Sequence, residues 1–241
     1  MSVRRVPPPA GRPLHVLISA GPTREPIDPV RFISNYSTGY MGACLAGEAL
    51  ARGHRVTLIS GPVTEPPPRG AQIIPVERTD EMRQAMRRAA PRADMIIMAA
   101  AVADFRPARR RALKQLRQAR WRLELEATPD IIGGLPRRRR GQVVAGFALE
   151  TARGSGDWDG VLERARRKLR TKRLDALLAQ AMNGHGTPFG RRRVHAWLLS
   201  SDGASVPFGV VSKARIAAAL LDKLEALWYG QHVGASHTGG R

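Results

Sequence analysis

Residues 14–42 read LHVLISAGPTREPIDPVRFISNYSTGYMG, and a run of small residues, ACLAGEALA, follows them. The first seven residues are almost continuously apolar, the pattern of a strand covered on both faces in a parallel sheet. Gly21 ends that run, and Ser37-Thr38-Gly39-Tyr40-Met41-Gly42 leads into the small-residue helix. Backbone N–H groups at a helix start carry partial positive charge, and glycines let an anion come close to them. The stretch predicts an α/β protein with an anion or nucleotide site near its N-terminus.

The rest of the chain alternates in the same way. Residues 14–20, 55–60, 71–76, 95–101, 143–148, 174–179 and 194–200 read as strands, and 42–52, 80–90, 161–170 and 212–229 as helices, with Thr79 or Asp80 as a helix N-cap. The pattern predicts a doubly wound, Rossmann-like three-layer fold with a mostly parallel central sheet. Ligands of such folds sit at the carboxyl ends of the strands, where Gly21, Ser60-Gly61-Pro62, Ala103-Asp104 and Glu150-Thr151 fall. GPTREP after the first strand is not G-x-G-x-x-G, which disfavours a tightly bound NAD or FAD. The long loop that follows holds Asp28, Arg31 and Asn35, and its length predicts a functional role.

At 241 residues the chain suits one domain, expected over 14–229. Residues 1–13 are basic and proline-rich without the apolar core of a signal peptide, and 230–241 are poor in apolar residues; both read as flexible tails. EPPPRG at 65–70 reads as a linker turn. No apolar run reaches the roughly 18 residues that span a bilayer, so no membrane partner is expected. The single cysteine, Cys44, rules out an intramolecular disulfide framework and fits a reducing cytoplasm. It reads as a packed core thiol in preference to a nucleophile.

The formal net charge is +20, with 40 Lys+Arg against 20 Asp+Glu. Such a balance admits a nucleic-acid partner. However, the arginines are dispersed, in runs at 109–111, 137–140, 166–167 and 191–193, and aromatics are only 5% of residues, too few for a stacking platform. A generally basic surface serving an anionic small molecule is preferred, with nucleic acid as the second reading. The six histidines are scattered without zinc spacing, so no protein-built metal site is expected.

The segments SAGPTREPIDPVRFISNYSTGYMG (19–42), LISGPV (58–63), AAVADFRP (100–107), ATPDII (127–132), VVAGFALET (143–151) and KLRTKRLD (168–175) closely resemble the phosphopantothenoylcysteine synthetase family. The resemblance runs over about residues 14–228 and implies a ligase of coenzyme A biosynthesis. The family activates the carboxylate of phosphopantothenate with a nucleoside triphosphate, CTP or ATP, and Mg²⁺. The resulting acyl-nucleotidylate is opened by the amine of cysteine. The resemblance also implies a homodimer. Nothing in the sequence resembles the flavin-dependent decarboxylase often fused to this unit, so a stand-alone synthetase without flavin is expected.

By the same resemblance Asn35 holds the acyl-nucleotidylate, although locally an asparagine there also reads as an Asx turn. Ser37, Thr38, Gly39 and Gly42 form the phosphate turn, with Gly21, Ser60, Gly61 and Ala100 beside it. Asp104 orients ribose or metal, or else caps a helix. Pro129, Asp130, Ile131 and Ile132 meet the base, and Phe147 lines the nucleotide site or simply fills core. Lys168 and Lys172, four apart on one helical face, bind the nucleotide, or are a solvated face.

Three segments depart from the family pattern. Its first phosphate lysine is Ala112, leaving Lys114 as the candidate catalytic cation with Arg111 as a substitute. Ala179-Gln180-Ala181 replaces Ala-Asn-Asp, with Asn183 offset, and Pro188-Phe189-Gly190-Arg191-Arg192 replaces Gly-Phe-Gly-Ser-Asp. The alternative function is therefore a catalytically impaired paralogue that binds a nucleotide or nucleic acid.

Overall fold

The structure is a computed structural model that describes residues 12–136, 138–152, 157–182 and 187–233. Most of the two expected tails, together with Arg137 and Asn183, lies outside the described residues. In chain order the elements are β1 (His15–Ala20), β2 (Arg24–Pro26), β3 (Phe32–Ser34), α1 (Tyr40–Ala51), β4 (Arg55–Ser60), β5 (Gln72–Pro75), α2 (Thr79–Ala89) and β6 (Met95–Met98). They continue with β7 (Phe105–Pro107), β8 (Leu125–Ala127), β9 (Val143–Thr151), α3 (Trp158–Thr171), β10 (Ala176–Met182), β11 (Val194–Ser200), β12 (Ser205–Val211) and α4 (Lys213–Val233).

The apolar opening run becomes the middle of the sheet. β1 pairs in parallel with β4 on one side and β6 on the other, and the order of the eight strands is β12-β11-β10-β9-β6-β1-β4-β5. β5 through β10 in that list are all parallel, whereas β11 and β12 are antiparallel. Renumbered along the chain, the parallel strands run 3-2-1-4-5-6, the doubly wound order, with its switch point between β1 and β6.

Because β1 is buried on both faces, its side chains feed two cores in alternation. Val16, Ile18 and Ala20 join Leu45, Ala46 and Ala49 of α1 and Leu220, Leu221 and Leu224 of α4. Leu17 joins Met82 and Met86 of α2 and Val161, Ala165 and Leu169 of α3 on the opposite face. The result is three layers, as expected from the alternating pattern. Small residues let α1 lie close: a Cβ at Gly42 would stand 2.4 Å from that of Ala20.

Several local expectations change. The long loop after β1 contains the β2–β3 hairpin, and β7–β8 form a second hairpin. α2 begins one residue earlier than expected, with Arg78 and not Thr79 or Asp80 at the N-cap. The Thr79 hydroxyl is engaged by Thr23 Oγ1 at 3.0 Å. Carboxylates satisfy the first-turn donors instead: Glu25 accepts from the Thr79 N–H at 2.8 Å, and Glu81 from the Arg78 N–H at 3.3 Å. α1 begins at Tyr40, two residues before the expected start.

Candidate active site

A cavity of about 710 Å³ lies at the carboxyl ends of the strands beside the switch point, where the segments after β1 and β6 stay bridged at Pro22 and Ala101. One wall is the segment from Asn35 to Gly42, and a second is Met98 to Val102 with Asp104. Thr128 to Ile132, the Phe147 region of β9, and Lys168 and Lys172 form the third. Gln180, Pro188, Phe189, Gly190 and Lys213 complete the lining.

The turn into α1 is shaped from below. Gly39 has φ +81° and Gly21 φ +73°, left-handed values that suit glycine. A Cβ on either would strike Val63 Cγ1, at 2.4 and 2.5 Å. At Gly61 a Cβ would lie 1.8 Å from the Pro22 carbonyl oxygen, and the Ser60 hydroxyl donates to the Gly61 carbonyl at 2.9 Å. Gly21, Ser60 and Gly61 therefore support the turn into α1 from behind and do not line the cavity.

The wall after β6 is tied to β1 by buried polar groups. Ser19 Oγ accepts from the Ala100 N–H at 3.2 Å, the Gly21 carbonyl accepts from the Ala101 N–H at 2.9 Å, and Thr23 Oγ1 accepts from the Ala103 N–H at 2.9 Å. Asn35 reaches the same wall, donating Nδ2 to the Val102 carbonyl at 2.8 Å.

On the third wall Lys168 donates to the Phe147 carbonyl at 2.9 Å, and Lys172 pairs with Asp130 at 2.5 Å. Burial pushes the Lys168 ammonium below the ordinary lysine range, against the opposing pull of Glu150. Burial works to raise Asp130, but Lys172 and the backbone N–H groups of Gly133 and Ile132 hold it below the usual carboxylate range.

Asn35, Ser37, Thr38, Gly39, Gly42, Ala100, Asp104, Pro129, Asp130, Ile131, Ile132, Phe147, Lys168 and Lys172 thus all face one space. Lys114 does not: it is exposed and outside the lining. Its segment is anchored elsewhere, through the Gln115 N–H on Asp28 at 3.2 Å and the Gln115 carbonyl on Arg31 at 2.7 Å. Arg111 lies over the Trp121 ring at 5.8 Å and is also outside the lining. Sequence reasoning missed Lys213 and Tyr36. The signal for Lys213 was its place among only five lysines, at the start of a helix. Tyr36 pairs with Phe189 of the replaced loop, ring centroids 5.8 Å apart. Cys44 is outside the lining, and burial pushes its thiol up, away from the reactive thiolate.

The sequence profile of the DNA/pantothenate metabolism flavoprotein C-terminal domain matches residues 12–227. The chain belongs to that family. The flavoprotein C-terminal domain match includes every residue of the cavity wall, from Asn35 to Lys213. Among relatives, the coenzyme A biosynthesis bifunctional protein CoaBC of Bacillus subtilis (strain 168) is 39% identical over 215 residues, covering 88% of this chain and 51% of that protein. The CoaBC protein of Mycobacterium bovis (strain ATCC BAA-935 / AF2122/97) is 40% identical over 224 residues, covering 89% and 52%. The chain spans about half the length of these curated relatives. A crystal structure of the C-terminal domain of CoaBC superposes with a TM-score of 0.73 at 31% identity, covering 90% of this chain and 96% of that one. Flavoprotein C-terminal domain architecture and cavity thus coincide in one chain.

Proposed function

We propose that this chain joins phosphopantothenate to cysteine through an acyl-nucleotidylate, using CTP or ATP. The support is one cavity that gathers Asn35, the start of α1, Lys168 and Lys172 at the switch point of the sheet. Relatives at 39% and 40% identity named for coenzyme A biosynthesis agree with it.

In the first step a carboxylate oxygen of phosphopantothenate attacks the α-phosphorus of the nucleotide. The bond from that phosphorus to the bridging oxygen breaks, and pyrophosphate leaves. In the second step the cysteine amine attacks the acyl carbon, the nucleoside monophosphate departs, and the nitrogen loses a proton to solvent. Both steps gather negative charge, which backbone N–H groups at α1 and the two lysines stabilise. Asn35 supplies a neutral amide donor for the acyl oxygen, positioned by its bond to Val102. Phe147 and the turn from Pro129 to Ile132 take the base.

Among the described residues no three His, Cys, Asp or Glu side chains lie together as a metal cage. In this reading Mg²⁺ arrives with the triphosphate, held mainly by phosphate oxygens and water, and Asp104 and Asp130 line the same cavity.

The proposed homodimer uses the two hairpins. Phe32, Phe105 and Leu125 there are 45%, 53% and 44% exposed. Among the described residues no helix is long and apolar enough to cross a membrane.

The test is exchange of labelled pyrophosphate into CTP or ATP, with phosphopantothenate present and cysteine absent. Exchange that requires phosphopantothenate supports a reversible acyl-nucleotidylate, and no exchange with either nucleotide overturns it.

A further inference from the structure

Lys213 is the first residue of α4 and is 6% exposed. Its ammonium donates to the carbonyls of Pro188 at 2.7 Å and Gly190 at 2.8 Å. An ammonium has three N–H donors, so one is left, and the side chain borders the cavity.

The charge of Lys213 is the unusual feature. Lys172 and Lys223 each hold a carboxylate, and Lys168 lies in the field of Glu150, Asp104 and Asp130. Among the described residues, no carboxylate is paired with Lys213 or acts on it; burial and the Cys44 thiol do. Two carbonyl dipoles do not neutralise a cation, and a buried cation without a counter-ion is costly. An anionic ligand offsets that cost.

Glu65, whose N–H donates to the Thr38 carbonyl at 3.3 Å, is itself paired with Arg191 at 3.1 Å. The loop held by Lys213 leans on the phosphate turn, since a Cβ at Gly190 would meet Thr38 Cγ2 at 3.8 Å. Cys44, one turn into α1, is close enough to act on Lys213. α1 has no acidic residue in its first turn, and its opening N–H groups are held by long bonds, Gly39 on Ser37 Oγ at 3.4 Å and Tyr40 on Thr38 Oγ1 at 3.3 Å.

We propose that Lys213 contacts a phosphate group of a substrate, sharing it with the backbone N–H groups at the start of α1. The proposal rests on the ligase function above. The phosphate belongs either to the pyrophosphate end of the nucleotide or to the phosphomonoester of phosphopantothenate. In either case Lys213 supplies a cation to a cavity that neither Lys114 nor Arg111 lines.

Two measurements on the full chain test this. Lys213→Gln keeps an N–H₂ for the carbonyls and removes the charge. Its affinity for pyrophosphate or phosphopantothenate, measured by calorimetry, is expected to fall tenfold or more, while Lys213→Arg recovers part of the loss. Affinities within twofold of the parent for both ligands overturn the proposal and leave Lys213 as a loop anchor. The second measurement needs no Lys213 variant. With only five lysines, the side-chain carbon signals of the labelled parent protein are assigned by replacing the other four in turn. A shift of the Lys213 signal on adding pyrophosphate assigns it to the nucleotide, and a shift with phosphopantothenate alone assigns it to the acid. If both ligands bind and Lys213 does not respond, the proposal fails while the ligase function survives; if neither binds the parent, both fail.

Discussion

The side-chain amide of Asn35 donates to the carbonyl of Val102 at 2.8 Å, pinning the end of the β2–β3 hairpin to the turn after β6. One amide hydrogen is used, so a second hydrogen and the carbonyl oxygen remain for a ligand in the cavity. Asn35→Asp removes both hydrogens and sets a carboxylate against a carbonyl. We expect ligase turnover to drop by about 10²–10³-fold, the usual effect of losing one donor to a developing oxyanion. The circular dichroism spectrum is expected to be unchanged. Turnover equal to the parent's removes Asn35 from the chemistry.

Lys168 predicts two pH dependences of opposite sign. Burial holds its pKa below the ordinary lysine value of 10.5. Between the lowered folded value and the ordinary one, the unfolded chain binds the extra proton, so stability of the unliganded protein rises with pH across that window. On the proposed function the Lys168 ammonium holds the nucleotide, so KM for the nucleotide is expected to rise across the same window. Lys168→Arg, which stays charged, is expected to abolish the rise in KM. A KM that is flat up to the ordinary lysine range contradicts the assignment.

Glu225 joins α4 to the turn between α1 and β4. His54 Nδ1 accepts from the Leu14 N–H at 3.3 Å, which puts the ring proton on Nε2, 2.8 Å from Glu225 Oε1. Arg52 adds a contact at 3.1 Å. Burial works to raise the Glu225 pKa, but His54 and Arg52 overcome it and hold the carboxyl low. Its stabilisation is therefore complete above the unfolded carboxylate pKa and is lost as pH falls through the folded value. Glu225→Ala is expected to cost about 3 kcal/mol in urea unfolding at neutral pH, because it strands buried partners. A cost below about 1 kcal/mol would place the group among ordinary surface pairs.

Gly61 supports the turn into α1 without lining the cavity. Gly61→Ala drives a methyl into the Pro22 carbonyl, and backbone cannot move aside as a side chain does. Destabilisation of about 1–3 kcal/mol is expected, as for other overpacked positions. A higher KM for the nucleotide is expected to accompany it. An unchanged melting temperature would show that the segment from Gly21 to Pro22 yields freely.

The parallel sheet was legible because its strands are apolar runs closed by glycine or polar turns, and β1, β4, β6 and β9 follow that rule closely. β12 was missed because SVPFGVV is an edge strand with a proline, a glycine and mostly exposed residues, so no burial pattern marks it. The hairpin strands REP, FIS, FRP and LEA are three residues each, too short for any periodicity to register. Motif order led to the cavity walls, since the carboxyl ends of consecutive parallel strands must meet. Lys213 escaped because what its ammonium meets, the carbonyls of Pro188 and Gly190 in the loop before β11, is encoded by no spacing. Lys114 was expected from motif position alone, and the Asp28–Arg31 pair draws its segment elsewhere.

The central claim is tested most directly by pyrophosphate release from the purified chain with phosphopantothenate and Mg²⁺. CTP and ATP are supplied separately, with and without cysteine, and the product is weighed by mass spectrometry. We predict release with one of the two nucleotides and a product of the mass of phosphopantothenoylcysteine that forms only when cysteine is present. Silence with both nucleotides, from folded protein, would contradict the ligase assignment and leave a domain that binds anions without joining them.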